Sequence, residues 1–152
     1  TLLLRPDLAA QARLRRLPLP GIEPRGALAL MLPEVTVVAI HLGLARSSRR
    51  AQLARLVAKA ARIGSEALVL TGDFNEWRDD RGLESLQPLD VIAPGPSWPA
   101  PFPQLRYDRI AISPRCATRI FWNAATSPSF CGAAFRSLCA SASTTKARLP
   151  QL

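Results

Sequence analysis

The chain has 152 residues, 48% of them hydrophobic and 20% charged, with a formal net charge of +9. These are values of a folded domain with one buried core, and they exclude a disordered chain. No apolar run approaches the roughly 20 residues of a membrane-spanning helix, and Leu2–Leu4 is too short for a secretory signal, so a cytoplasmic protein without a membrane span is expected.

The chain opens on Thr1, which reads as a processed or truncated start. Its positive charge invites a polyanionic partner such as nucleic acid, because clustered guanidinium groups attract phosphate. All the basic residues except Lys59 and Lys146 are Arg, amid abundant Ala, Leu and Pro, a profile that a GC-rich coding sequence also produces. Cys116, Cys131 and Cys139 are odd in number, with no CxxC and no neighbouring His, so neither a disulfide framework nor a zinc site follows.

Along residues 5–20, Arg, Leu and Pro mix, and Pro18 and Pro20 break any helix begun over Leu8–Leu17. Ala27–Leu32 and Val35–Leu42 read as two strands of a hairpin joined through Pro33 and Glu34. Ser47–Ile63 reads as a helix with Ser47 or Ser48 as N-cap and Gly64 as its stop. Leu53, Leu56, Val57 and Ala60 form its apolar face, with Arg55, Lys59 and Arg62 opposite. Ala67–Leu70 predicts a short strand buried on both faces, with the polar segment Gly72–Arg78 leaving its end. Arg81–Leu86 predicts one or two helical turns, and Leu89–Ala93 a short strand. The proline-rich Pro94–Gln104 predicts a surface loop anchored by Trp98 and Phe102, and Tyr107–Ile112 a strand. From Arg115 onward there is no acidic residue and no clear period, so residues 1–113 are expected to form the folded domain and 114–152 a divergent or poorly ordered basic tail, the product of a shifted reading frame or a divergent end.

The chemistry concentrates at strand ends, where loops can aim polar groups into a cleft. Thr71-Gly72-Asp73-Phe74-Asn75 follows an apolar strand. Gly72 permits a tight turn, Asp73 supplies an anion, Phe74 turns back to the core, and alternation sets Asn75 on the same side as Asp73. A carboxylate beside a carboxamide suits hydrolysis at phosphorus: the first can orient water or bind Mg²⁺, and the second can hold a phosphate oxygen. An ordinary Gly-Asp turn has the same residues. His41, the single histidine, ends another strand and is either a structural hydrogen-bonding residue or part of the site. Asp108 needs a partner inside a strand: Arg106 or Arg109 on a structural reading, a catalytic imidazole on a functional one.

In order and spacing these pieces resemble the endonuclease/exonuclease/phosphatase superfamily. The resemblance runs from about Ala27 to Ser113, through His41-Leu42-Gly43, the helix start with Arg49, Arg50, Gln52 and Leu53, then Leu70–Asn75 and Tyr107-Asp108-Arg109-Ile110. It implies a four-layer α/β sandwich of the deoxyribonuclease-like type with two mixed sheets, here incomplete, and Mg²⁺- or Mn²⁺-dependent cleavage of a phosphoester, nucleic acid among the candidate substrates. It implies Asp73 as the residue that binds metal or activates water, with Asn75 and His41 on the scissile phosphate and Asp108 orienting a second histidine. Arg46 and Arg78 are the candidate substrate-binding cations. The family's metal-binding Glu and its closing Ser-Asp-His have no counterpart in this sequence, which offers Ser141-Ala142-Ser143-Thr144-Thr145 instead. A non-catalytic remnant that binds phosphate or nucleic acid, or packs with a partner, is therefore the alternative to a hydrolase.

Overall fold

A computed structural model describes residues 2–63, 67–79 and 81–117 of the chain. The elements run in the order α1 (Pro6–Ala9), β1 (Arg13–Leu19), β2 (Arg25–Met31), β3 (Thr36–His41), α2 (Arg46–Ile63), β4 (Leu68–Asp73), a 3₁₀ turn (Glu84–Leu86), β5 (Asp90–Ile92) and β6 (Asp108–Ile112). The six strands form one mixed sheet in the order β1-β2-β3-β4-β6-β5. Only β3 and β4 are parallel, and α2 is the crossover that parallel pairing requires.

The expected hairpin is β2 and β3, antiparallel and turned where the Leu32 N–H donates to the Val35 carbonyl. In α2 the apolar stripe is buried as its period dictates: Leu53, Leu56 and Ala60 lie in the core and Val57 packs against it. Neither Ser47 nor Ser48 caps this helix. It begins at Arg46, the Arg49 N–H bonds to the Ala45 carbonyl, and Ser48 is buried within the first turn. Gly64, the expected stop, lies outside the described residues.

The N-terminal reading needs correction. Helix is confined to Pro6–Ala9, and the rest of the expected helical segment is strand β1. Leu17 and Leu19 alternate into the core around exposed Pro18, while the Arg13–Arg16 half of the strand is exposed on both sides. Pro18 is tolerated because β1 is at the sheet edge. The Pro94–Gln104 loop also differs from expectation, since Trp98 is 55% and Phe102 77% exposed, so neither anchors it. Main-chain pairing between Trp98 and Leu105 closes the loop instead.

One sheet face packs Ala27, Ala29, Val38, Ile40, Leu70 and Ala111 into a core with α2. The other carries half-buried Leu28, Val37, Ala39, Val69, Ile110 and Ile112. An apolar pattern on both faces is that of a sheet designed for layers on both sides; the described residues supply one sheet and its helix layer. The β4 strand is thus fully buried on one face and half-buried on the other, rather than buried on both. No helix among the described residues is long and apolar enough to cross a membrane. Thr1–Cys116 forms one compact unit, and the basic tail beyond residue 117 lies outside the described residues.

Candidate active site

Because β3 and β4 are parallel, they end on the same edge of the sheet, and antiparallel β6 begins there. The register pairs His41 with Asp73 and Asp73 with Asp108. Three residues separated by up to 67 positions in sequence therefore stand in one row across three adjacent strands, which are spaced about 4.8 Å apart. His41 Nε2 lies 3.7 Å from Asp73 Oδ2, a salt bridge only when the imidazole is protonated. Both side chains reach solvent, His41 more than Asp73.

The strand continues through Thr71 and Gly72 to Asp73, so the polar motif starts inside β4 and not after it. Gly72 has φ +135°, and a side-chain carbon there would meet the Ile40 carbonyl oxygen at 2.1 Å. Past Asp73 the chain leaves the sheet: Phe74 is fully buried, and Asn75 has a left-handed backbone with φ 50°. Strand alternation consequently does not reach Asn75. Hydrogen bonds bring it to the site instead, its N–H donating to Asp73 Oδ1 at 2.7 Å and its Nδ2 to the Leu42 carbonyl at 2.7 Å. The second bond joins the loop after β4 to the chain just beyond His41. The Leu42 N–H donates to the Asp73 carbonyl and the Phe74 N–H to the Tyr107 carbonyl, completing a stitched edge.

Asp108 has no ion pair among the described residues, and Arg109 is not its partner. Alternation turns Arg109 to the helix face, where it is fully buried and donates to the Glu76 carbonyl at 3.1 Å and to Asp79 at 2.9 Å. The Asp108 N–H donates to Ser97 Oγ at 3.3 Å, tying the proline-rich loop to the row. Arg78 stacks on the ring of half-exposed Trp77, its Cζ 4.7 Å from the centroid. Arg46 is about half exposed and contacts Glu76 through Nε at 3.3 Å.

Glu76 is the residue that sequence reasoning missed. Its side chain is 1% exposed and accepts from Arg49 Nη2 at 2.8 Å, from Arg46 Nε and from the Arg78 N–H at 3.3 Å. Gly82, at φ +90°, packs so closely over it that a side-chain carbon there would fall 2.6 Å from Glu76 Oε2. Arg49 also donates to the Gly43 and Leu44 carbonyls, and Gln52 accepts from the Gly43 N–H while donating to the Pro20 carbonyl. Glu23 accepts from the Leu44 N–H, so the loop after His41 is held from both sides. Burial pushes the Glu76 carboxyl up, but the hydrogen bonds from Arg49, the Arg78 N–H and Arg46 outweigh it and hold the group below the usual carboxylate range. Ionised Glu76 therefore adds stability above the ordinary glutamate value of about 4.3, and that stability is lost as the pH falls through the lowered value. Melting temperatures measured from neutral pH to about pH 3 are expected to fall less steeply for Glu76→Gln than for the unmodified protein; parallel curves would remove Glu76 as the source.

For a divalent ion the row offers one carboxylate, Asp73. Asp73 Oδ1 is engaged by Asn75, while Oδ2 lies 3.7 Å from His41 Nε2. Among the described residues no three His, Cys, Asp or Glu side chains gather to cage a metal. The donor set fits Mg²⁺ or Mn²⁺ held through one carboxylate with water and substrate phosphate, the usual manner of Mg²⁺ binding.

A mixed six-stranded sheet with a crossover helix is the architecture of the deoxyribonuclease-like fold. The catalytic domain of human Nocturnin with bound sulfate anion shares the fold, with a TM-score of 0.50 at 15% identity over 69% of this chain and 49% of that one. Truncated TDP2 of Caenorhabditis elegans aligns with a TM-score of 0.49 at 17% identity, over 66% of this chain and 51% of that one. The uncharacterized protein YbhP of Escherichia coli (strain K12) is 36% identical over 107 residues, covering 60% of this chain and 42% of YbhP. The model of the Endonuclease/Exonuclease/phosphatase family matches residues 2–134, and the chain belongs to that family. It spans less than half the length of the relative it matches in sequence.

Proposed function

We propose that this chain handles the scissile phosphate in a Mg²⁺- or Mn²⁺-dependent phosphoester hydrolase of the phosphodiesterase or nuclease type. The observation that carries this reading is the register-fixed row His41–Asp73–Asp108 with Asn75 hydrogen-bonded into it. Asp73 orients a water and accepts its proton as the water attacks phosphorus in line with the leaving oxygen. Asn75, its side-chain amide fixed by the Leu42 carbonyl and its backbone N–H by Asp73, holds a phosphate oxygen, and His41 holds a second. Asp108 keeps the row anionic beside His41 and Asp73. Arg46 and Arg78 offset phosphate charge at the rim. When bound at Asp73, a divalent ion supplies charge neutralisation at the phosphate and the leaving oxygen.

A second reading, a phosphate- or nucleic-acid-binding chain without turnover, is favoured by one observation. His41 is the sequence's single histidine and faces Asp73, so no other imidazole is available to protonate a leaving oxygen.

The full chain assayed on bis(4-nitrophenyl) phosphate is expected to release nitrophenol with Mg²⁺ or Mn²⁺ and to stop with a chelator. Folded protein that gives no turnover with either ion overturns the hydrolase reading in favour of the second. Binding to a DNA oligonucleotide that weakens steeply with salt would identify the phosphoester as nucleic acid in either case.

A further inference from the structure

A buried ion cluster is a costly way to hold a loop. Glu76 and Arg49 are withdrawn from water, and the Nε donors of Arg49 and Arg109 are buried without a hydrogen-bond partner. Desolvating such groups offsets much of their attraction, and an unsatisfied donor costs more still, so well-packed apolar residues hold loops at least as well. What the cluster provides that apolar packing cannot is a directed guanidinium. Of the three arginines around Glu76, Arg49 and Arg109 are buried and Arg46 alone has a side chain open to solvent, 43% exposed. Glu76 binds Arg46 through Nε, at 3.3 Å. The guanidinium is thereby held by one edge, with its terminal nitrogens bonded to no described residue, and these nitrogens form the fork that matches a phosphate. Glu76 also follows Asn75 directly, so the residue that aims Arg46 is covalently continuous with the loop carrying Asp73 and Asn75.

We infer that Glu76 is a positioning residue that sets Arg46 as a phosphate-binding arm beside the Asp73–Asn75 loop, completing a subsite for the anionic group of the ligand. This rests on the phosphoester reading, and it separates from that reading because it concerns binding of phosphate and not turnover. Neutralising Glu76 frees Arg46 to sample other rotamers, and the affinity for phosphate then falls although no group touching phosphate has been removed.

The test titrates inorganic phosphate into the full chain and its variants by calorimetry, with circular dichroism to establish folding. Arg46→Ala is expected to weaken phosphate binding about tenfold, the weight of one charge-assisted contact. Glu76→Gln is expected to weaken it by a smaller factor. The double variant should bind no more weakly than Arg46→Ala alone, because Glu76 acts through Arg46. Arg46→Lys, which keeps the charge but has no Nε–H for Glu76, should resemble Glu76→Gln. Additive losses in the double variant, or phosphate affinity indifferent to Arg46, overturn the inference. If Glu76→Gln does not fold, the ¹⁵N–¹H signal of Arg46 Nε in the unmodified chain, assigned by its loss in Arg46→Ala, decides: a shift on phosphate addition supports the arm, and no shift overturns it. Phosphate binding through Arg46 in a chain without turnover leaves this inference standing and the hydrolase reading fallen; turnover with Arg46-independent binding does the reverse.

Discussion

Replacing Asp73 by Asn is expected to lower metal-supported phosphodiester turnover by about 10²–10⁴-fold, the weight of one acid–base group, while leaving the melting temperature close to that of the unmodified chain. The two effects separate because the two carboxylate oxygens do different work. Oδ1 accepts the Asn75 N–H at 2.7 Å and shapes the turn. Oδ2 lies 3.7 Å from His41 Nε2 and takes no part in the turn, and under the proposed function it is the oxygen that would meet a water or a divalent ion. An Asn side chain can keep an oxygen toward Asn75 and so preserve the turn, but it is neutral and neither accepts a proton from water nor binds Mg²⁺ as a carboxylate does. Asp73→Ala removes both functions. It should match the Asn variant in lost turnover and lose about 1 kcal/mol of stability besides, through the orphaned Asn75 N–H. Steady-state rates and thermal unfolding of the two variants check this together. Turnover that survives Asp73→Asn would mean that Asp73 shapes the loop and takes no part in the chemistry.

The elements that carry the row were legible from local signals. Val35–Leu42 is rich in β-branched residues, α2 has its stripe at Leu53, Leu56 and Ala60, and the short apolar run before Thr71 reads as a buried strand. Order along the chain then suggested that His41, Asp73 and Asp108 share a site, and the register of β3, β4 and β6 brings them into one line. Two things were illegible for physical reasons. Strand β1 is Arg-rich and holds Pro18, and its identity comes from pairing with β2 across the sheet and not from local preference. The Glu76 cluster is invisible in sequence as a cluster, since Arg46, Arg49, Glu76 and Arg109 are charged residues on three separate segments. Their burial is created by contacts spanning 27, 30 and 33 positions, which no local window contains. Asn75 lies between these cases. Its presence was evident, but its orientation follows from a left-handed backbone and two hydrogen bonds, and strand alternation gives the wrong reason for it.

The largest stability effect is expected at Gly72, where Ala should cost about 2–6 kcal/mol and take the row with it. Two penalties combine. At φ +135° an L-residue is strained by about 1–3 kcal/mol even in open space. Space is not open: the added carbon would sit 2.1 Å from the Ile40 carbonyl oxygen, which is backbone of the neighbouring strand and cannot rotate aside. Relief requires β3 and β4 to separate at the His41–Asp73 register, adding an overpacking cost of about 1–3 kcal/mol. For a compact unit of about 100 residues each kcal/mol moves the melting temperature by about 4–8 °C, so a fall of at least about 8 °C is expected. The same displacement stretches the Leu42–Asp73 and Asn75–Leu42 bonds, because both cross the gap that would open. Gly72→Ala should therefore lose phosphate affinity even at temperatures where the protein remains folded, although no polar group has been removed. A contrasting substitution at Gly26, whose added carbon would meet nothing closer than 3.6 Å and whose φ is ordinary, should leave both stability and phosphate affinity nearly unchanged. Equal behaviour of the two variants would show that the close approach of Gly72 to Ile40 does not govern the geometry of the site.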